Sequence, residues 1–180
     1  LYIGKIENEY LEGRKQRKVF WGCCKLPQVH IENQKVLIDD GQVFYIGNIK
    51  IEAFLVPGHT WGHLVYLIDE TYLFTGDTIW FGADGGYAFL NTLAEDRKLQ
   101  IKSLKRLERG LRARNHPLKI ITGHTGWTDD IDFAFSHVDE ICNALRRKPK
   151  VHDPKAPYDG FDESEDTEET ARSGFLAKCY

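Results

Sequence analysis

The 180-residue sequence has no apolar run approaching the roughly 18–20 residues that a membrane-spanning helix needs, which removes that class of protein. It has no CxxC pair. Its four cysteines, Cys23, Cys24, Cys142 and Cys179, include two neighbours and show no even framework of spacings. That argues against a zinc ribbon and leads us to expect reduced thiols in a cytoplasmic protein, buried or inert, with a reactive Cys23 as the alternative. It has no GxGxxG opening a helix and no GKS or GKT, so the glycines of FGADGGYAFLN do not cradle a phosphate. A net charge of −3 supplies no pull toward nucleic acid or an anionic membrane. There is no internal repeat. The N-terminus lacks the basic start, apolar core and small-residue cleavage site of a signal peptide. Leu1 stands where a methionine would start a chain, and Leu1-Tyr2-Ile3-Gly4 reads as a strand already under way, so we expect the chain to begin inside a larger fold.

What remains is ordinary for a soluble globular domain: 42% apolar and 28% charged residues in a length that can bury a substantial core. Leu1 to Ile3 predicts a short strand. Ile6, Tyr10 and Leu11 lie at helical spacing within the charged stretch Lys5 to Lys18, which predicts a short surface helix. Val19 to Pro27 carries no readable period. Val36-Leu37-Ile38 is a strand closed by Asp39-Asp40-Gly41, and Val43–Ile46 and Ile49–Val56 flank Gly47-Asn48 as a hairpin. After Trp80, FGADGGYAFLN reads as a loop, either mobile beside the strand ends or a plain surface connection. Thr92-Leu93-Ala94-Glu95 has the form of a capping box for a helix with Ile101, Leu104, Leu107 or Glu108, and Leu111 on one buried face, and with Gly110 as its stop. Leu118 to Thr122 is a short apolar strand. Asp129 or Asp130 then caps a second helix with the stripe Ile131, Phe135, Val138, Ile141 or Cys142, and Leu145. From Pro149 the composition turns acidic and poor in core residues, as an extended tail or as an arm held by Tyr158, Phe161 and Phe175.

The chain is organised around Phe54 to Trp80, FLVPGHTWGHLVYLIDETYLFTGDTIW, where the apolar β-rich runs Leu64 to Ile68 and Tyr72 to Phe74 read as strands and polar residues appear as strands end. Three segments share one design, an apolar strand closed by glycine and then a residue able to bind metal: Pro57-Gly58-His59, Thr75-Gly76-Asp77 and Thr122-Gly123-His124. Glycine permits the sharp turn and a close approach. Imidazole and carboxylate are the usual donors to zinc, manganese or iron, and a carboxylate has two oxygens with which to bridge. Trp61, Trp80 and Trp127 stand near these segments, to wall a pocket or to pack the core. His116, His137 and His152 read as surface or structural residues.

With PGHTWGH at 57–63, FTGDTI at 74–79 and TGHTG at 122–126, in that order, the sequence resembles the metallo-β-lactamase superfamily, glyoxalase II-like hydrolases included. The resemblance implies an α/β fold, the αββα sandwich with metals at one edge between two sheets, over residues 1–148, with 149–180 as the acidic tail or arm. It implies that His59 resembles a histidine of the first metal, Asp77 the bridging aspartate with a catalytic role, and His124 a histidine of the second metal. His63, Thr60 and Thr78 would orient those ligands from behind.

The family's HxHxDH motif is absent: none of the seven histidines forms an HxH pair, and His30 is the only one before His59. The chain therefore resembles the C-terminal part of such a domain, incomplete at its N-terminus, with three ligands divided between two metal positions. It is expected to bind metal poorly on its own, because a catalytic zinc takes about three protein ligands. The complete domain would hold two zinc ions, with iron or manganese as alternatives. It would be a hydrolase in which a metal-bridged hydroxide attacks an ester, thioester, lactone or similar bond. An iron-dependent oxidoreductase of the same fold, and a non-catalytic module that binds or assembles, are the other readings. Expected partners are a small-molecule substrate and, in a homo-oligomer, further copies of the chain.

Overall fold

The computed structural model describes residues 1–19, 24–27, 31, 33–89 and 93–140. In chain order it contains β1 (Tyr2–Gly4), α1 (Lys5–Leu11), β2 (Lys18–Val19), β3 (Cys24–Lys25), β4 (Val36–Ile38), β5 (Val43–Ile46), β6 (Ile49–Leu55), β7 (Leu64–Ile68) and β8 (Tyr72–Gly76). There follow β9 (Ile79–Phe81), β10 (Gly86–Ala88), α2 (Arg97–Arg114), β11 (Lys119–Thr122), β12 (Trp127–Thr128) and α3 (Ile131–Phe135). Six strands form one sheet in the order β12-β11-β8-β7-β6-β5. Its β5 to β8 run is an antiparallel meander. β11 returns parallel to β8 after the chain has passed through α2, as a parallel pair requires a crossover.

Strand alternation decides which residues α2 covers. Register sets Phe54 opposite Val65, Leu67 opposite Leu73, and Leu73 opposite Ile120, so these share one face. α2 turns Leu104, Leu107 and Leu111 toward that face, and all belong to one buried cluster with Val56, Val65, Leu67, Leu73, Ile79 and Phe81. Each fully buried leucine there contributes about 1.5–3 kcal/mol. On the other face, Phe44 pairs across from Ile51 and stacks on Tyr2 of β1 at 5.3 Å between ring centroids. β1 and β4 make a parallel pair over that side. The layers therefore run α2, six-stranded sheet, then the β1–β4 pair. Beyond that pair the face stays open at Ile46, Ile49, Tyr72 and Phe74, all exposed.

Several sequence expectations are corrected. The first helix ends at Leu11, and the charged residues after it lie outside it. The unassigned stretch contains the antiparallel β2–β3 pair. Residues 81–89 of the FGADGGYAFLN run are not a surface loop: β9 and β10 form a hairpin, and Trp80, Phe81, Tyr87, Ala88 and Phe89 are buried. Its glycines serve packing, since a Cβ on Gly86 would lie 1.9 Å from the Ala134 carbonyl oxygen of α3. The helix expected to start with a capping box begins at Arg97, capped by the Asp96 side chain, which accepts from the Leu99 amide. Gly110 does not stop it; the helix continues to Arg114 and closes on Asn115 in the left-handed region (φ 47°). Asp130 caps the next helix, as one of the two expected residues, but that helix ends at Phe135. Val138 is buried beyond the helix, not on its stripe. Ile141, Cys142, Leu145, Thr92, Cys23, His30 and the acidic stretch from Pro149 lie outside the described residues. Cys24 is a free, exposed thiol. Among the described residues no helix is long and apolar enough to cross a membrane.

Candidate metal centre

The three glycine-ended segments meet at one end of the six-stranded sheet. β6 runs out into the loop 57–63, whose ends are tied by the Val56 amide donating to the His63 carbonyl at 2.8 Å. Gly58 has φ 134° and sits against α2 so closely that a Cβ would lie 2.3 Å from the Gln100 nitrogen and Cα. The amides of Glu95 and Asp96 donate to the carbonyls of His59 and Gly58 at 3.1 and 2.9 Å. The start of α2 thus seats the loop. Parallel pairing carries β8 and β11 to the same end, with a register irregularity between Ile121 and Thr122. There the Gly123 amide donates to the Gly76 carbonyl at 2.9 Å. Gly123 also clears the way for Asp77, whose Oδ1 would lie 2.2 Å from a Cβ at that position.

Asp77 is the meeting point. Its Oδ2 faces His59 Nε2 at 3.9 Å and its Oδ1 faces His124 Nε2 at 3.3 Å. Two histidines from different strand ends thus address different oxygens of one carboxylate. Aromatic rings fix the imidazoles: His59 meets Phe89 edge-on at 5.3 Å, and Phe89 stacks on His124 at 5.8 Å with 17° between planes. Trp80 packs on both Phe89 and His124. Trp61 is exposed, and Trp127 lies under the Lys119 ammonium at 4.2 Å.

The electrostatics favour neutral imidazoles. Burial pushes His59 from 6.5 down to about 4, neighbouring His63 adds to the drop, and Asp77 opposes it. Burial also lowers His63, offset in part by its bond to Thr75. Because a carbonyl only accepts, His63 Nε2 carries the proton and donates to Thr75 O at 2.8 Å. His63 therefore spends its Nε2 on the β8 backbone. Thr60 turns its hydroxyl to Glu7 at 2.6 Å. Thr78 is buried with Oγ1 unpartnered, while its carbonyl accepts from the Gln100 side chain at 3.1 Å. His116 is exposed, and His137 stacks on Tyr87 at 5.1 Å.

The donor set fits a borderline metal in kind and orientation. His59 Nδ1 is buried without a hydrogen-bond partner, and its Nε2 stands past hydrogen-bond reach of Asp77. It is a neutral imidazole turned on a carboxylate with its Nε2 still open. The number of donors falls short, since among the described residues no group of three His, Cys, Asp or Glu closes on one point. A cavity of about 410 Å³ opens beside His59, His63 and Asp77, with Glu7, Arg17 and Tyr66 in its wall. Sequence reasoning gave Glu95 a different role, in a capping box, and missed Glu7, Gln100, Phe89 and Thr125. Thr125 alone had a signal, its place in TGHTG; its buried hydroxyl accepts from the Phe81 amide at 2.8 Å and ties the β9 hairpin to the His124 turn.

The chain has a fold of the metallo-β-lactamase type. Its fold matches the BLEG-1 B3 metallo-β-lactamase at a TM-score of 0.55 and 19% identity, over 77% of this chain and 63% of that one. By sequence it is similar to superfamily hydrolases. It is 28% identical over 154 residues to hydroxyacylglutathione hydrolase of Pelagibacter ubique, covering 82% of this chain and 59% of that protein. It is 37% identical over 70 residues to the Probable polyketide biosynthesis zinc-dependent hydrolase BaeB of Bacillus velezensis, covering 39% of this chain and 31% of that protein. The chain thus spans between about a third and three fifths of the length of these two relatives. No protein-family model matches it.

Proposed function

We propose that the chain contributes His59, Asp77 and His124 to a zinc centre of a hydrolase acting on an ester, thioester or lactone of a small molecule. The observation that carries this reading is Asp77, with one oxygen turned to His59 and the other to His124. The names of the relatives, a zinc-dependent hydrolase and a hydroxyacylglutathione hydrolase, support both the metal and the acyl substrate. When bound, the metal supplies Lewis-acid activation of water and of the acyl oxygen. The chain's residues do the rest. His59 stays a neutral donor because burial depresses its protonation. Phe89 and Trp80 hold the imidazoles of His59 and His124 in place. Asp77 orients what lies between the two histidines. The remaining donors come from outside the described residues.

Metal content and turnover test the proposal. The protein supplied with its full ligand set binds zinc and hydrolyses an acyl thioester, and Asp77→Ala abolishes both; retention of both in the variant overturns the assignment. The second reading, a module that acts by assembly, is favoured by the short donor count among the described residues. It predicts no bound metal and no turnover even when the ligand set is completed.

A further inference from the structure

Two carboxylates from outside the three glycine-ended segments hold the loop that carries His59. Glu7 of α1 accepts at Oε1 from both the Thr60 hydroxyl (2.6 Å) and the Gly62 amide (3.2 Å). Glu95, just before α2, accepts at Oε2 from the Trp61 amide at 2.5 Å, and its own amide donates to the His59 carbonyl at 3.1 Å. Arg17 stands between the two. It is hydrogen-bonded to Glu7 Oε2, lies 4.0 Å from Glu95 Oε1, and sits over the Tyr10 ring at 4.7 Å. Glu95 is almost wholly buried, with 6% of its side chain exposed. A buried carboxylate is costly unless its oxygens are used; here the loop takes Oε2 and the Arg17 guanidinium faces Oε1. Gly62 is pressed against α1 so tightly that a Cβ would lie 2.7 Å from the Glu7 nitrogen.

We propose that Glu7 and Glu95, joined through Arg17, form a clamp that holds Thr60, Trp61 and Gly62 and thereby aims the His59 imidazole at Asp77. The proposal rests on the metal reading above for its purpose, though not for its geometry. These are positioning residues: Glu7 spends Oε1 on Thr60 and Gly62 and Oε2 on Arg17, and Glu95 spends Oε2 on the Trp61 amide. The clamp reaches His59 by a short covalent path, because the three residues it grips directly follow that histidine. Neighbouring elements close it from two sides, α1 through Glu7 and the segment before α2 through Glu95, so the loop is held as a unit.

Two measurements test it, hydrogen exchange on this chain and zinc titration on the protein supplied with its full ligand set. In the metal-free protein, hydrogen exchange is followed at the Gly62 amide, bonded to Glu7, and at the Glu95 amide, bonded to His59. Glu7→Ala speeds exchange at both by at least tenfold, because releasing one jaw frees the whole loop. Faster exchange at Gly62 alone overturns the clamp. Zinc titration supplies the second readout: Glu7→Ala weakens Zn²⁺ binding about 10–100-fold, the usual cost of losing a residue that supports a ligand. Glu7→Gln keeps an acceptor for Thr60 and Gly62 and restores affinity to within about threefold; an equal loss in Glu7→Gln assigns the effect to charge and overturns the proposal. If Glu7→Ala does not fold, Thr60→Val cuts one of the same bonds and is read the same way. Should Asp77→Ala leave zinc binding unchanged, or should no zinc bind at all, the metal reading fails, and the exchange measurement still decides the clamp.

Discussion

Acid should unfold the metal-free protein through His59. In the folded chain burial holds this imidazole at about 4, against 6.5 unperturbed. The unfolded state therefore takes up a proton as pH falls below about 6.5 while the folded state does not, and stability must fall with pH between the two values. At about 1.4 kcal/mol per pH unit the whole span is worth about 3 kcal/mol, of which about 2 kcal/mol is gone by pH 5. His63, also lowered by burial, adds to the loss in the same direction. His137 acts in the opposite sense, because its bond to Glu140 raises its pKa, and its exposure keeps that contribution small. The assay is urea denaturation of chelator-treated protein, followed by tryptophan fluorescence at steps from pH 7.5 to 4.5, for the native chain and His59→Gln. The native chain loses stability steadily, and the variant loses about 2 kcal/mol less between pH 7.5 and 5. A flat profile in the native chain, or parallel profiles in the two proteins, would refute the buried neutral His59 on which the proposed donor role depends.

Two glycine substitutions separate stability from the site. Gly58→Ala forces a side chain into a left-handed backbone (φ 134°) and against the backbone of α2, so unfolding measurements should show a loss of about 3 kcal/mol or more. Gly123→Ala meets the Asp77 Oδ1 at 2.2 Å and the Gly76 backbone at 3.3–3.4 Å, so it should cost less stability than Gly58→Ala while weakening Zn²⁺ affinity about tenfold or more in calorimetric titration.

Much of the scaffold was legible because it is local. The Gly47-Asn48 hairpin, the strands on either side of Asp69-Glu70 and the buried stripe of α2 follow from alternation, turn chemistry and helical period within a dozen residues. The misreadings arose where a neighbour overrode local preference. Gly110 looked like a stop, yet it lies inside a helix whose buried leucines on both sides, Leu107 and Leu111, outweigh its poor propensity. The glycines at 85 and 86 looked like a flexible loop, but α3 lies against them, a fact carried by residues near 134.

The sequence by itself determined which residues can do the chemistry: a glycine and then His59, Asp77 or His124 at the ends of three apolar strands, each set by its own short segment. It also determined that no HxH pair accompanies them. Only the tertiary structure decided that these ends converge. Pairing of β8 with β11 brings Asp77 and His124 together, and the seat of the loop on α2 brings His59 to the other oxygen of the same carboxylate. It alone joined Glu7 to Thr60 across 53 residues and Glu95 to Trp61 across 34. Period and propensity are properties of neighbours along the chain. Hydrogen bonds between distant carboxylates and a loop depend on how helices and sheet pack, and no local pattern encodes that distance.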